Sequence, residues 1–305
     1  MTRDLLGIRQ LSVDQIIDLL KRSDGYFQHL NSTDPFPEST LLKGRTVANL
    51  FFENSTRTRT SFELAEKRLG ATSVSLSMQT SSLSKGESLI DTIKVIDAMK
   101  IDCMVVRHSS SGVPALLRRH LPETTRIINA GDGAHEHPTQ ALLDAATLLE
   151  KLGSLKGKKI VIIGDIKHSR VARSNMLLLN KLGANVSIIA PITLSPNSGA
   201  EVFGVNVRHE IGNELNDADA VIALRIQTER QAQSLFPGLT DFRERYGLTP
   251  TRMAKANSFI LHPGPVNRSV ELDDEAADSE KSVIYRQVKR GVAIRMAVLE
   301  WLFEN

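Results

Sequence analysis

Apolar residues recur along this chain in two alternating rhythms. Short runs at 46–52, 71–76, 103–106, 126–129, 159–165, 185–190, 220–224 and 258–261 read as strands, those at 46–52 and 159–165 with the composition of buried ones. Between them, apolar positions spaced three and four apart predict helices at 13–20, 58–69, 88–100, 113–120, 139–152, 169–182 and 288–303. In the last of these, Val292, Met296, Leu299 and Leu302 share one side. Strand runs separated by helical patterns predict parallel sheets covered on both faces. Two stretches break the rhythm. Residues 77–86 are rich in Ser, Thr and Gly without periodicity and read as a mobile loop. Residues 227–247 are polar, with Pro237-Gly238 inside, and are long for a plain connection, which predicts a functional loop.

A chain of 305 residues commonly makes two domains, and the predicted helix at 139–152, ending at Gly153, is placed to connect them. The expected fold class is α/β, with two doubly wound domains, each a mostly parallel sheet covered by helices. The 41% hydrophobic and 24% charged content is ordinary for a globular protein. No apolar run is long enough to span a membrane, so no membrane partner is expected. The start, Met1-Thr2-Arg3-Asp4, lacks the apolar stretch of a secretory signal, and Cys103, the lone cysteine, has no disulfide partner and falls in a strand run. Together these lead us to expect a cytoplasmic protein. The net charge of +3 is spread out, with no Lys/Arg tract interleaved with aromatics, so no nucleic-acid partner is expected.

The chemistry starts where the first strand gives way to the second helix. Ser55-Thr56-Arg57-Thr58-Arg59 puts two hydroxyls and two guanidinium groups at a helix N-terminus, next to Phe62 and Leu69 on an apolar face. Free backbone N–H groups and a partial positive charge gather there, and an arginine fork matches paired phosphate oxygens. An ordinary Ser/Thr cap with solvated arginines is the plain alternative. The alternation of Thr and Arg favours an anion site. The βαβ pattern from residue 159 carries no dinucleotide fingerprint: its turn is Gly164-Asp165-Ile166-Lys167-His168, and its second strand ends Ile189-Ala190-Pro191 rather than in an acid. His135-Glu136-His137 suggests a metal pair, but Glu136 would point the other way and no third ligand follows at a metal-site spacing, so no metal and no cofactor are expected.

The stretch from Phe51 to Glu63 resembles the carbamoyl phosphate signature of the transcarbamoylase family. Further motifs follow in that family's order: Ser81 to Leu89, Arg107-His108, His137-Pro138-Thr139-Gln140, Gly164 to Arg170, Arg225-Ile226-Gln227 and His262-Pro263-Gly264-Pro265. The resemblance is to the aspartate branch and covers nearly the whole chain. It implies a carbamoyl phosphate-binding domain, 1–137 plus 291–305, and an aspartate-binding domain, 138–290. It also implies carbamoyl transfer to the amine of aspartate, a step of pyrimidine biosynthesis. By the same resemblance Ser55, Thr56, Arg57 and Thr58 bind the phosphate, with Ser81 arriving from the loop at 77–86. Arg107 and His137, helped by Thr58, contact the carbamoyl oxygen, and Gln140 reads the carbamoyl amide. Arg170, Arg225 and Gln227 hold the aspartate carboxylates, with the backbone at Pro263 and Gly264 close by. Lys85 reaches both substrates. Glu53 orients Arg170, joined by Arg230. A cis peptide is expected before Pro265.

The family also implies a homotrimer with shared active sites, and larger assemblies with regulatory chains or dihydroorotase-like chains, up to a dodecamer, are open to it. Two departures stand out. Gly264 replaces the Leu of many relatives, and Asp165 to Asn175 is similar to the form in chains that lack a zinc-bearing regulatory subunit. The rivals are an ornithine-accepting member, a catalytically silent binding or scaffold homologue, and a metal hydrolase centred on His135 and His137. The ornithine branch carries a His-Cys-Leu-Pro segment, whereas His262-Pro263-Gly264-Pro265 has no Cys. A silent homologue would have lost a key Arg or His, and all are present.

Overall fold

The computed structural model describes residues 3–77, 88–196, 203–226 and 238–304. The expectations for Ser81, Lys85, Gln227 and Arg230 fall outside the described residues. The chain divides into two compact units, one of residues 1–143 and 289–305 and the other of residues 144–288.

The first unit holds a sheet of four parallel strands: β1 (Thr46–Phe51), β2 (Thr72–Ser77), β3 (Cys103–His108) and β4 (Arg126–Asp132), in the spatial order β2-β1-β3-β4. Its helices are α1 (Val13–Asn31), α2 (Thr56–Arg68), α3 (Leu89–Asp97) and α4 (Val113–Arg118). Strands β1, β3 and β4 form because their aliphatic runs are buried: Ala48, Leu50, Met104, Val106 and Ile127 pack with Ile93 and Ile96 of α3 and Leu117 of α4, whereas the edge strand β2 leaves Thr72, Val74 and Ser75 exposed. Helix α1 opens on a capping box, in which Ser12 and Gln15 satisfy each other's backbone N–H groups. It also runs eleven residues beyond the expected end at 20, because Ser23 and Phe27 continue its buried face.

The second unit holds five parallel strands, β5 (Lys159–Ile163), β6 (Asn185–Ile189), β7 (Asn206–Arg208), β8 (Ala220–Ala223) and β9 (Phe259–Leu261), in the order β7-β6-β5-β8-β9. Helix α5 (Pro138–Leu152) contains the boundary between the units, and α6 (Arg170–Lys181) follows β5. The short helices α7 (Leu239–Tyr246), α8 (Pro250–Met253) and α9 (Asp274–Ala277) precede the last helix, α10 (Ile284–Phe303). Two expectations need correction. The stretch 227–247 is not all loop: α7 forms at its end because Phe242 and Tyr246, four apart, are both buried and stack at 5.3 Å. The last helix begins at Ile284 rather than at 288. From residue 289 onward it belongs to the first unit, where Arg290 meets Asp24 at 2.6 Å and the Phe27 ring at 3.6 Å, and Tyr26 donates to Glu300 at 2.8 Å.

A buried acid sits against β1. Glu66 of α2 accepts from Asn49 Nδ2 on its two oxygens, at 2.8 and 3.0 Å, and from the Ser73 hydroxyl. Burial pushes its carboxyl up to about 7, against the lowering effect of the Ser73 and Asn49 hydrogen bonds. A raised carboxyl binds its proton more tightly in the folded than in the unfolded chain. Its stabilising contribution is therefore complete below the ordinary value of 4.5 and is lost as pH rises through about 7. Glu66→Gln is expected to flatten the fall in stability over that window. Above pH 7 it should gain about 1–2 kcal/mol, with part of the linkage returned through the mismatch of two facing amides. Denaturant melts of both proteins at pH 5 and pH 8 test this. A variant less stable than the parent at both pH values would mean that the carboxylate is tolerated there in its charged form.

Candidate active site

In an open parallel sheet, ligands gather beyond the carboxyl ends of the strands, where the strand order reverses. In the first unit that point lies between β1 and β3, and in the second between β5 and β8. The residues singled out from the sequence lie at these ends. Ser55 to Thr58 follow β1, Arg107 is the second-to-last residue of β3, and His137 and Gln140 follow β4. In the second unit Arg170 follows β5, Arg225 follows β8, and Pro263 and Gly264 follow β9.

In the first unit Ser55 is the N-cap of α2, yet its hydroxyl does not cap the helix, and the first intrahelical bond runs from Arg59 N to Ser55 O. The first turn carries no acid. Instead Arg57 and Arg59 bring positive charge to the positive end of the helix dipole, with Glu63 one turn on at 3.9 Å from Arg59 Nε. Thr56 and Arg57 are exposed, and Ser55 and Thr58 half-buried. A helix N-terminus carrying hydroxyls, arginines and no acid is the kind of end at which anions bind.

Arg107 stands beside this helix end, because β1 and β3 are adjacent with Phe51 opposite Arg107. Its Nη1 donates to Thr58 Oγ1 at 3.2 Å and to the Ala130 carbonyl at 3.4 Å. Its Nε donates to Glu53 Oε1 at 2.7 Å. Three part-buried acceptors, Glu53, Thr58 and the Ala130 carbonyl, thus fix the orientation of the guanidinium. The resemblance placed Glu53 with Arg170. The Glu53–Arg107 contact is a partnership that no sequence motif announced, since 54 residues separate the pair. His108, next on the strand, packs its ring 5.0 Å from Phe52 and accepts from Ser110 N at 2.8 Å. Burial pulls its imidazole below the usual histidine range, against Glu53 and Asp132.

The loop that delivers His137 is fixed by Asp132, which the sequence reading also passed over. Its carboxylate accepts from Gly112 N at 2.6 Å, Asn129 Nδ2 at 2.8 Å and Glu136 N at 3.1 Å, and pairs with His135 Nδ1 at 3.0 Å. Burial works against the charge, but His135, Asn129 and Gly112 together hold the carboxyl below the usual range. Gly133 N also donates to His108 O at 2.9 Å. The segments after β3 and β4 are therefore tied to each other, and with them Arg107 and His137. His137 itself is buried, and its carbonyl accepts from Gln140 N at 3.0 Å at the start of α5. Glu136 turns away from it and accepts from Ile8 N at 2.6 Å. Among the described residues no group of three His, Cys, Asp or Glu side chains gathers as a metal site would need. A Gly-Asp-Gly turn between an apolar strand and a His-Pro-Thr-Gln motif was the available signal for Asp132.

In the second unit Ser169 caps α6 by accepting from Ala172 N at 3.1 Å, and Asp165 holds the approach by accepting from His168 N and pairing with His168 Nδ1 at 2.8 Å. That frame buries the Arg170 guanidinium at the first position of the helix. Strands β5 and β8 come so close at their ends that a Cβ at Gly164 would collide with the Leu224 carbonyl oxygen, and the glycine backbone there has φ +130°. Arg225, half-buried, emerges from the β8 side of this switch point.

The third segment is a turn built on His262. Its Nδ1 accepts from Gly264 N at 2.7 Å, so the ring proton is on Nε2, which donates to Glu271 Oε1 at 3.0 Å. The Gly264–Pro265 peptide is cis, as expected from the sequence. Gly264 has φ +65°, a conformation that a Leu side chain would strain and glycine adopts freely.

The fold and these strand-end residues define a two-unit transferase of the carbamoyl class, and comparison with known proteins bears this out. Residues 3–150 match the family model described as "Aspartate/ornithine carbamoyltransferase, carbamoyl-P binding domain", and residues 156–302 match its "Asp/Orn binding domain". The chain belongs to the aspartate/ornithine carbamoyltransferase family. Among curated proteins it is 51% identical over 304 residues to the aspartate carbamoyltransferase catalytic subunit of Acidiphilium cryptum (strain JF-5), covering 99% of this chain and 96% of that one. It is 50% identical over 303 residues to the corresponding subunit of Solibacter usitatus (strain Ellin6076), covering 98% and 99%. Among solved structures it resembles the aspartate transcarbamoylase of Trypanosoma cruzi in complex with carbamoyl aspartate and phosphate, with TM-score 0.87 and 30% identity over 98% of this chain and 95% of that one.

Proposed function

We infer that this chain is an aspartate carbamoyltransferase, moving the carbamoyl group of carbamoyl phosphate to the amine of L-aspartate to give N-carbamoyl-L-aspartate and phosphate. The observation that carries this inference is the full-length likeness to aspartate carbamoyltransferase catalytic subunits, supported by the described Ser, Thr, Arg and His candidates at strand ends.

In the reaction the amine nitrogen attacks the carbamoyl carbon and a tetrahedral oxyanion forms. The bond from that carbon to the phosphate oxygen then breaks, phosphate departs, and the nitrogen gives up a proton. Positioning and fixed charge supply the acceleration. We assign the phosphate to Ser55, Thr56, Arg57 and Thr58, supported by the acid-free first turn of α2. The carbamoyl oxygen goes to Arg107, His137 and Thr58. The support is the Arg107–Thr58 contact and the Asp132 hydrogen bonds that join the segments after β3 and β4. Gln140, one turn into α5, takes the carbamoyl amide. Arg170 and Arg225 at the second switch point take the aspartate carboxylates, with Pro263 and Gly264 alongside. Ser81, Lys85 and Gln227 keep the roles the resemblance implies.

The same family supports a homotrimer with shared active sites, and the name "catalytic subunit" carried by the relatives is that of a chain in an assembly. The proposed domains are 1–137 with 291–305 for carbamoyl phosphate and 138–290 for aspartate. Pyrimidine biosynthesis is the proposed pathway and the cytoplasm the proposed location. Among the described residues no helix is long and apolar enough to cross a membrane.

The test is a product assay with carbamoyl phosphate and either aspartate or ornithine, before and after dialysis against a chelator. Carbamoyl-aspartate is the expected product, undiminished by chelation. Equal turnover with ornithine would point to the other branch of the family, and loss on chelation to a metal-dependent enzyme.

A further inference from the structure

One buried polar network in the second unit has no role in the assignments above. Asp144 of α5, wholly buried, accepts from Asn175 Nδ2 of α6 on one oxygen at 2.7 Å and from Gln287 Nε2 of α10 on the other at 2.7 Å. Gln287 Oε1 in turn accepts from His262 N at 2.9 Å. His262 holds Gly264 N with one ring nitrogen and Glu271 with the other, and the same Glu271 oxygen accepts from Asn267 N at 2.6 Å. Asn175, Gln287, His262 and Glu271 are each at most 2% exposed.

Every member of this relay is a polar group in a core that aliphatic side chains could fill. Burying such groups costs free energy that their hydrogen bonds only partly offset, so stability alone gives little reason to keep them. A hydrogen-bond network does give fixed register, because each bond has a direction and a length that apolar packing lacks. The two ends of this network show what is registered. Asn175 lies five residues into the helix that begins at Arg170, and His262 immediately precedes Pro263 and Gly264. Both ends are elements assigned to the amino-acid acceptor.

Resting on that acceptor assignment, we propose that Asp144 is a positioning residue for the acceptor: through Asn175 and Gln287 it sets the Arg170 helix and the Pro263–Gly264 turn in one register. Asp144 touches no reacting atom. It acts by fixing how far the Arg170 guanidinium lies from the turn, and that distance must match a dicarboxylate.

Steady-state kinetics with both substrates varied test the idea. Asp144→Asn keeps the shape but sets one amide donor against another. Its KM for aspartate should rise by about tenfold, with KM for carbamoyl phosphate within about twofold of the parent. The exchange Asp144→Asn with Asn175→Asp restores a donor facing an acceptor, and should bring KM for aspartate back towards the parent value. Should Asp144→Asn fold poorly, Asp144→Leu with Asn175→Leu removes both polar groups and fills the space. It should melt near the parent and still show the raised KM for aspartate. Unchanged KM values in a folded variant, or equal rises for both substrates, would overturn the proposal. Absence of carbamoyl-aspartate from the parent enzyme in the same assay would instead overturn the functional assignment itself.

Discussion

Arg57→Ala should lower kcat for carbamoyl transfer by a hundredfold or more while the melting profile stays close to that of the parent. Arg57 is exposed at the second position of α2, in a first turn without an acid. Its charge opposes the positive end of the helix dipole, which favours an anion there. As the bond to phosphate breaks, negative charge grows on the oxygens that the guanidinium faces, so the contact is strongest in the transition state. Losing one such preorganised donor costs about 3 kcal/mol, which sets the hundredfold expectation. The same removal of an opposing charge should leave the helix no less stable. A variant that turns over near the parent rate would show that this helix end holds its anion without this residue. One that unfolds would show that the arginine is structural.

If the proposed homotrimer holds, mixed assemblies should separate a shared site from a self-contained one. On the proposed roles, Lys85→Ala removes a charge over both substrates and His137→Ala an oxyanion donor, and each is expected to be nearly inactive. Dissociated and reassembled together, they should regain activity, since some pockets would then pair an intact loop with an intact His137. A lysine arriving from a neighbour can close a cleft after both substrates have entered and exclude water from the reacting carbon. If labelled subunits exchange yet activity stays at the level of the parents, Lys85 serves the pocket of its own chain.

The sequence carried the central strands well because they are buried on both faces. Ile160-Val161-Ile162-Ile163 of β5 can hardly be anything else. β7 left no such trace: Asn206, Val207 and Arg208 form a three-residue edge strand with two exposed side chains, so no apolar run marks it. α7 was hidden by the polar residues around it, and only Phe242 and Tyr246, one turn apart, betray it. The candidate site residues were legible because each belongs to a short motif. Their supports were not. The partnership of Glu53 with Arg107 and that of Asp144 with Gln287 join residues far apart in the chain, and a hydrogen bond between distant residues leaves no local pattern. Asp144 did leave one sign, a carboxylate in the otherwise apolar run Ala141-Leu142-Leu143-Asp144-Ala145-Ala146.

The two sets of strand-end residues, one per sheet, bear on how such a protein can change. On the assignment above, the donor is handled by loops after β1, β3 and β4, and the acceptor by loops after β5, β8 and β9. Mutations in the second group can then alter which amine is accepted without disturbing the machinery that activates the carbamoyl group. The matched family models carry the same asymmetry in their descriptions, with a single donor named for the first half and two acceptors, Asp and Orn, for the second. A lineage built this way can explore new acceptors by substituting a handful of loop residues, while the costly invention, a turn that binds and discharges an acyl phosphate, is inherited intact.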